Sequence, residues 1–87
     1  MGSVVIHPRV MERHPELTEE DVREAWLSYV RMTRREGDDD YFVAVGFDSR
    51  GRAIEMVAVE MLDGGWYVYL AFTPPTKCVL RELGLMR

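Results

Sequence analysis

The 87-residue chain is short of several residue types, and each shortage excludes a class of protein. Cys78 is the only cysteine, so no disulfide can form within the chain, and we expect a reducing compartment. One cysteine and two histidines are too few for a structural zinc site. No apolar run approaches the roughly 20 residues of a membrane span. Residues 1–9 lack the longer apolar stretch of a signal peptide, so we expect a cytoplasmic protein.

The chain also lacks a surplus of positive charge. Fifteen acidic residues face eleven basic ones, which gives a net charge of −4. A generic nucleic-acid binder draws its affinity from a basic surplus, so the balance argues against that class. Lys77 is the only lysine, and the other basic residues are arginines. The planar donors of arginine suit carboxylate or phosphate. Codon bias in a GC-rich genome explains the excess of arginine over lysine equally well.

What is present suffices for one small folded domain over residues 1–87. Hydrophobic residues make up 47% of the chain and charged residues 30%, which excludes disorder as its main state. A chain of this length buries only roughly 60–65% of its unfolded surface, so its core is thin. A partner or a homodimer contact would add to its stability.

The first half of the chain predicts a strand and two helices. The β-branched run 3–7 predicts a short strand, and residues 8–16 fit one or two helical turns between two prolines. Thr18 is a natural N-cap with Asp21 at the capping-box position. Apolar residues then recur at helical spacing, and arginines gather before Gly37. We therefore predict one amphipathic helix from Thr18 to Glu36.

The second half predicts three strands and a last helix. Asp38–Asp40 reads as a solvated turn, and β segments follow at 41–47, 52–62 and 66–72, separated by short turns. Both faces of the middle segment are apolar, so helices or a partner should cover part of each. Thr76 can cap a final helix that ends at Gly84. The predicted fold is α+β: a short N-terminal strand, two helices, a three-stranded antiparallel meander and a C-terminal helix.

Several catalytic patterns are weak or missing. A metal site at His7 and His14 would need a continuous helix, which Pro8 and Pro15 make unfavourable. Cys78 lies near the start of the last helix, but a cysteine is more often a small buried apolar residue than a nucleophile. Glu55 and Glu60 are five residues apart and lie on opposite faces of a strand, so they form no acid/base pair. The chain has no nucleophile elbow, phosphate-binding loop or dinucleotide fingerprint. We expect neither a metal nor a cofactor.

Phosphate recognition is the better-supported chemistry. Arg52 opens the middle strand, and Lys77 and Arg81 lie four apart on one face of the last helix. Thr73 and Thr76 add hydroxyl donors near the start of that helix. Such a cluster suits RNA phosphate or an acidic partner, although ordinary surface charge accounts for the same residues.

The order of the short motifs resembles a known family. The motifs are His7-Pro8-Arg9-Val10-Met11-Glu12-Arg13, Leu17-Thr18-Glu19-Glu20-Asp21-Val22, Gly46-Phe47-Asp48, Gly51-Arg52-Ala53-Ile54-Glu55, Ala71-Phe72-Thr73-Pro74-Pro75-Thr76-Lys77 and Leu80-Arg81-Glu82-Leu83-Gly84. They resemble the small toxins related to BrnT, within the RelE-like group of bacterial toxin–antitoxin systems. The resemblance covers nearly the whole chain and implies a RelE/BrnT-like fold.

The resemblance also implies an activity and a partner. It implies a metal-independent endoribonuclease that inhibits translation, held inactive by a small antitoxin protein that is often of ribbon-helix-helix type. A base would take the proton of the ribose 2′-hydroxyl, a cation would stabilise the phosphorane and an acid would protonate the leaving oxygen. The catalytic residues it implies are His7, Arg52, Lys77 and Arg81. The RNA- or phosphate-binding residues it implies are Arg13, Thr73 and Thr76.

Two other hypotheses stay open. The net negative charge and the apolar second face of the sheet favour a non-catalytic protein-interaction module on the same fold. A homodimer that binds a small acidic ligand between Arg52 and Arg81 is a further alternative.

Overall fold

The computed structural model describes residues 3–29, 31–35 and 38–85, with the backbone alone at positions 35, 38, 39 and 82. The elements in chain order are β1 (Val4–Ile6), α1 (Arg9–Arg13), α2 (Glu19–Leu27), β2 (Arg31–Arg35), β3 (Asp38–Phe47), β4 (Ala53–Glu60), β5 (Trp66–Phe72) and α3 (Lys77–Glu82). The strands form one five-stranded sheet in the order β1-β5-β4-β3-β2. The predicted α+β class is confirmed.

The sheet is mixed because β1 runs parallel to β5, while every other neighbouring pair is antiparallel. β1 and β2 form the two edges, so the chain crosses the whole sheet between them. That crossing covers four interstrand spacings, roughly 19 Å. Helices α1 and α2 make the crossing, and this places them over one face of the sheet.

The long helix predicted from Thr18 to Glu36 is wrong in its second half. α2 ends at Leu27, and Ser28 follows it with its hydroxyl donating to the carbonyls of Glu24 and Phe47. Residues 31–35 then pair with β3 as strand β2. A fourth antiparallel strand satisfies the hydrogen bonds along β3, and that long-range pairing outweighs the helical spacing. Glu36 and Gly37 lie outside the described residues.

The solvated turn predicted at Asp38–Asp40 is also wrong, because these residues begin β3. Because residues 31–35 form the additional strand β2, the antiparallel meander has four strands, β2 to β5, instead of three. The pairing of β2 with β3 shifts its register between Arg34 and Arg35, where Arg35 pairs with Asp38.

The remaining elements lie close to their predicted positions. The first strand, the short helix α1, the strands β3 to β5 and the final helix are all present. At the start of α2, the Asp21 amide donates to the Thr18 hydroxyl at 3.1 Å and the Thr18 amide donates to the Asp21 carboxylate at 3.0 Å. Among the described residues, no helix combines the length and apolarity needed to cross a bilayer.

The main core lies between the sheet and helices α1 and α2. From β4 it takes Ile54, Met56 and Ala58, all fully buried, and from α2 it takes Val22 and Ala25. A second buried set on the opposite face comprises Val43, Val45, Val57 and Leu83. Both faces of β4 are thus partly covered, as its sequence predicted.

Gly46 sets how closely α2 can approach the sheet. A Cβ atom at Gly46 would overlap the backbone carbonyl of Ala25. Since the obstacle is backbone, side-chain movement cannot relieve it.

We expect Gly46→Ala to lower the free energy of unfolding by about 3 kcal/mol, at the upper end of the usual cost of overpacking. Urea denaturation measures the change. Gly64→Ala is the control: Gly64 has open space around it but a φ of +86°, so it should cost roughly 1–2 kcal/mol from backbone strain alone. Equal costs for the two variants would contradict the close approach of α2.

Candidate functional site

The structure distributes the predicted site residues over three places. Arg52 lies in an ion-pair network beneath α2. His7 precedes α1 and Arg13 is its last residue. The remaining four residues lie in or before α3: Thr73, Thr76, Lys77 and Arg81.

Arg52 donates from all three of its guanidinium nitrogens to groups of the protein. Its Nε lies 2.7 Å from the Asp48 carboxylate, its Nη2 lies 3.1 Å from Asp21, and its Nη1 lies 3.1 Å from the Glu16 carbonyl. Arg50 adds a contact of 3.3 Å to Asp21. We call Asp21, Asp48, Arg50 and Arg52 the ion-pair network. It joins the start of α2 to the turn between β3 and β4.

The network lowers the pKa of both carboxylates. The Thr18 amide that donates to Asp21 lowers the pKa of that carboxyl, and the arginines add to this effect. Burial acts to raise the pKa of Asp48, but the amides of Arg50 and Arg52 and the Arg52 guanidinium outweigh it, so the net shift is downward. Both carboxylates are therefore held in the charged form by their neighbours.

Thr73 and Thr76 also bond within the protein. The Thr73 hydroxyl donates to the Ala53 carbonyl at 2.6 Å. Thr76 caps α3 by accepting from the Val79 amide, and its own amide and hydroxyl donate to the buried Glu55 carboxylate at 3.0 and 3.1 Å. These contacts attach the start of α3 to β4.

Arg52 is not brought into one cluster with Lys77 and Arg81. Arg52 reaches towards α2, on the face that carries Ile54 and Met56 of the core. The start of α3 is bonded to Glu55 of β4, whose side chain points to the opposite face because strand residues alternate. Lys77 and Arg81 are exposed, and in the described part of the chain neither makes an ion pair.

His7 lies in an aromatic cluster that the sequence reasoning missed. Its ring is 5.9 Å from that of Tyr67 and 6.2 Å from that of Tyr69. Tyr67 and Tyr69 stack at 4.8 Å, and Tyr41 of β3 contacts Tyr69 at 5.9 Å. We call these four residues the His7–tyrosine cluster. It occupies the face of the sheet opposite α2, because Trp66 and Val68, which alternate with these tyrosines, pack on the α2 side.

The imidazole of His7 is fixed by α1. Its Nδ1 accepts from the Arg9 amide at 3.0 Å, so the proton of the neutral ring resides on Nε2. In this tautomer the available nitrogen is a hydrogen-bond donor. His7 can therefore donate to a phosphate oxygen, whereas proton abstraction would require the bond to Arg9 to open.

A β-bulge presents Tyr69. Val57 pairs with Leu70 and Ala58 with Val68, so Tyr69 is the extra residue of β5. Its side chain is 43% exposed. Bulges re-aim side chains and are frequent beside active sites. The two-residue spacing of Tyr67 and Tyr69 in a predicted strand, which puts both rings on one face, was the available sequence signal, but it does not reveal the bulge or the approach of His7 and Tyr41.

Comparisons with models of protein families, with curated proteins and with solved structures found no match to this chain. In the described residues, no group of three or more histidine, cysteine, aspartate and glutamate side chains is arranged to hold a metal ion.

We expect the ion-pair network to make stability fall at acid pH. A carboxyl with a lowered pKa in the folded state stabilises the protein above its unfolded pKa, near 3.8, and this contribution is lost as pH falls through the folded value. Asp48→Asn should lower the free energy of unfolding by about 1–3 kcal/mol at pH 7 and should flatten its fall below about pH 4. Denaturant unfolding at several pH values measures both effects.

The control for this prediction is Asp63→Asn. Asp63 accepts from the Gly65 amide in the turn between β4 and β5 and has no ion pair among the described residues. An asparagine can accept the same bond, so stability at pH 7 should change little. An acid profile of Asp48→Asn identical to that of the unsubstituted protein would contradict the role of the network.

Proposed function

We propose that this chain is the toxin component of a toxin–antitoxin pair and acts as a metal-independent endoribonuclease that inhibits translation. The observation that carries the proposal is the His7–tyrosine cluster, which lies on the face of the sheet that α1 and α2 leave uncovered. The resemblance of the motif order to BrnT-related toxins points to the same class of activity.

The chemistry of the cluster suits RNA. Exposed aromatic rings on a sheet stack the bases of single strands, and this does not require a large positive surface. An imidazole N–H beside the rings can contact a phosphate oxygen. The cluster therefore fits a short strand of RNA in spite of the net charge of −4.

The proposed reaction is intramolecular transfer at phosphorus. The ribose 2′-oxygen attacks the neighbouring phosphorus, its proton goes to a base, and the 5′-oxygen leaves with a proton from an acid. The products are a 2′,3′-cyclic phosphate and a 5′-hydroxyl. In the tautomer favoured by the bond from the Arg9 amide, His7 Nε2–H would stabilise the negatively charged phosphorane by a hydrogen bond.

The proposed partner is a small antitoxin protein. The face that α1 and α2 leave uncovered, of which α3 shields only part, carries exposed apolar side chains at Val5, Phe47 and Tyr69, each 42–43% exposed. Burying such side chains against a partner would add to the stability of a thin core. An antitoxin bound there would also cover His7.

A non-catalytic interaction module is the second candidate function. It is favoured by the use of Arg52, Thr73 and Thr76 in contacts within the protein. With these side chains occupied, one cation and two hydroxyls fewer are left to bind RNA than the sequence suggests. In this case the protein would bind a partner and leave RNA intact.

We expect controlled expression of the chain to arrest growth and to produce RNA with 2′,3′-cyclic phosphate ends. Co-expression of the neighbouring gene should restore growth if it encodes the antitoxin. Sequencing of the RNA ends and incubation of purified protein with RNA in EDTA measure the activity directly. No growth defect together with intact RNA would remove the enzyme and leave the interaction module.

Two substitutions separate the roles of His7. His7→Asn keeps an acceptor where Nδ1 lies, so the bond from the Arg9 amide can be kept, but it removes Nε2–H. We expect this variant to fold normally and to lose RNA cleavage by about 10²-fold or more. His7→Gln places an N–H near the position of Nε2 and should recover part of the rate if His7 acts as a hydrogen-bond donor. If His7→Gln recovers no rate and the pH–rate profiles of both variants lose one limb, His7 instead acts in proton transfer.

A further inference from the structure

We infer that Tyr69 forms a base-stacking subsite, that Arg9 binds the adjacent phosphate, and that the ligand of this face is therefore an RNA strand with an unpaired base. The inference rests on the proposed function and gives Tyr69 and Arg9 roles that the resemblance did not assign to them.

The bulge in β5 is the first argument for this subsite. Without the extra residue, alternation along β5 would send positions 67 and 69 to one face and position 70 to the other. The bulge turns Tyr69 and Leu70 towards the same side, opposite Val57. Tyr69 would share the face of Tyr67 without the bulge; what the bulge adds is that no residue of β4 pairs with Tyr69. Tyr69 is 43% exposed, whereas Tyr67 and Leu70 are half-buried.

The arrangement of the rings is the second argument. Tyr67 stacks on Tyr69 with 27° between the ring planes, and the His7 ring is inclined by 31° to Tyr69. Tyr41 contacts Tyr69 at 59° from another strand. Tyr69 is thus held by three rings while much of its own surface remains open. A base that stacks there would meet a ring already fixed in position, which reduces the entropy lost on binding.

The cation beside the rings is the third argument. The Arg9 amide lies 3.0 Å from the His7 ring, so Arg9 starts next to the cluster. Its side chain is exposed and makes no ion pair or hydrogen bond among the described residues. Arg13 lies one helical turn further on and is also exposed, with Glu12 as the intervening acid. Arg9 and Arg13 against Glu12 leave these exposed residues of α1 with one net positive charge, and α1 begins beside His7, so a cation is available there for phosphate.

The same features select an unpaired strand. In a duplex the bases stack on one another and their faces are closed to protein side chains. A single exposed ring with one neighbouring cation matches one nucleotide, namely a base on Tyr69 and its phosphate on Arg9 and His7. Stacking is tolerant of base identity, so we expect weak sequence preference at this subsite.

The test measures binding and cleavage separately. A short RNA with 2′-O-methyl riboses cannot be cleaved through its 2′-oxygen, so its affinity reports binding alone. We expect Tyr69→Leu to weaken its binding roughly 5- to 100-fold and Tyr69→Phe to leave it nearly unchanged. The matched control is Tyr29→Leu, because Tyr29 is 45% exposed but contacts Trp26 on the α2 side. A duplex of the same sequence should bind more weakly than the single strand.

The contribution of Arg9 is read from salt dependence. Removing one phosphate contact to a single strand should reduce the slope of log affinity against log salt by about 0.7. Arg9→Gln should show this reduction, and Arg9→Lys should restore the slope because it restores the charge. Circular dichroism of each variant establishes that α1 and the sheet are intact.

The outcomes distinguish a failure of the Tyr69 subsite from a failure of the proposed ribonuclease activity. Normal cleavage with unchanged binding by Tyr69→Leu overturns the subsite and leaves the ribonuclease. Weakened binding by Tyr69→Leu with no cleavage by the unsubstituted protein supports the subsite and overturns the ribonuclease. The subsite is overturned if the unsubstituted protein does not bind the methylated RNA. It is also overturned if Tyr29→Leu and Tyr69→Leu lose equal affinity for that RNA. Either result favours a protein segment as the occupant of this face.

Discussion

The placement of α2 depends on the ion-pair network. Arg52 joins Asp48, in the turn between β3 and β4, to Asp21, in the first turn of α2. Two further contacts hold the helix along its length, from Arg23 to the Val4 carbonyl and from Ser28 to the Phe47 carbonyl. Because Gly46 lets α2 lie directly on the sheet, these contacts fix which face is covered. The Asp48 side chain is fully buried, so loss of Arg52 would leave a buried carboxylate without its guanidinium partner.

Because α1 and α2 cover one face of the sheet, the opposite face remains accessible to a ligand. α3 attaches to the second face through Thr76 and Glu55 and shields only part of it. The rest carries His7 and the tyrosines, whose rings are exposed or half-buried. Arg52, one of the catalytic residues that the resemblance implies, thus stabilises the side covered by α2. The candidate chemistry at His7 lies on the opposite side. The acidic surplus is compatible with this division, because a stacking platform needs only a few local cations.

Local signals predicted the elements whose stability is local. The capping box at Thr18 and Asp21, the proline and glycine positions and the alternation in β3 to β5 all specify short-range hydrogen bonds or turns. The error at Arg31–Arg35 has a non-local cause, since that segment is a strand only because β3 offers it a partner. Its arginines resembled the basic end of a helix, and nothing within the segment distinguished the two states. Of the candidate site, His7 and the cations were visible as residue types, but their neighbours were not.

The sequence by itself determined the α+β class, the acidic balance and the capping box at the start of α2. Only the tertiary structure decided that Arg52 binds two carboxylates of its own chain and that His7 meets Tyr67, Tyr69 and Tyr41. The physical reason is that periodicity and capping report on neighbours a few residues away. The face to which a side chain points depends instead on register, on a one-residue bulge and on the path of α2 across the sheet.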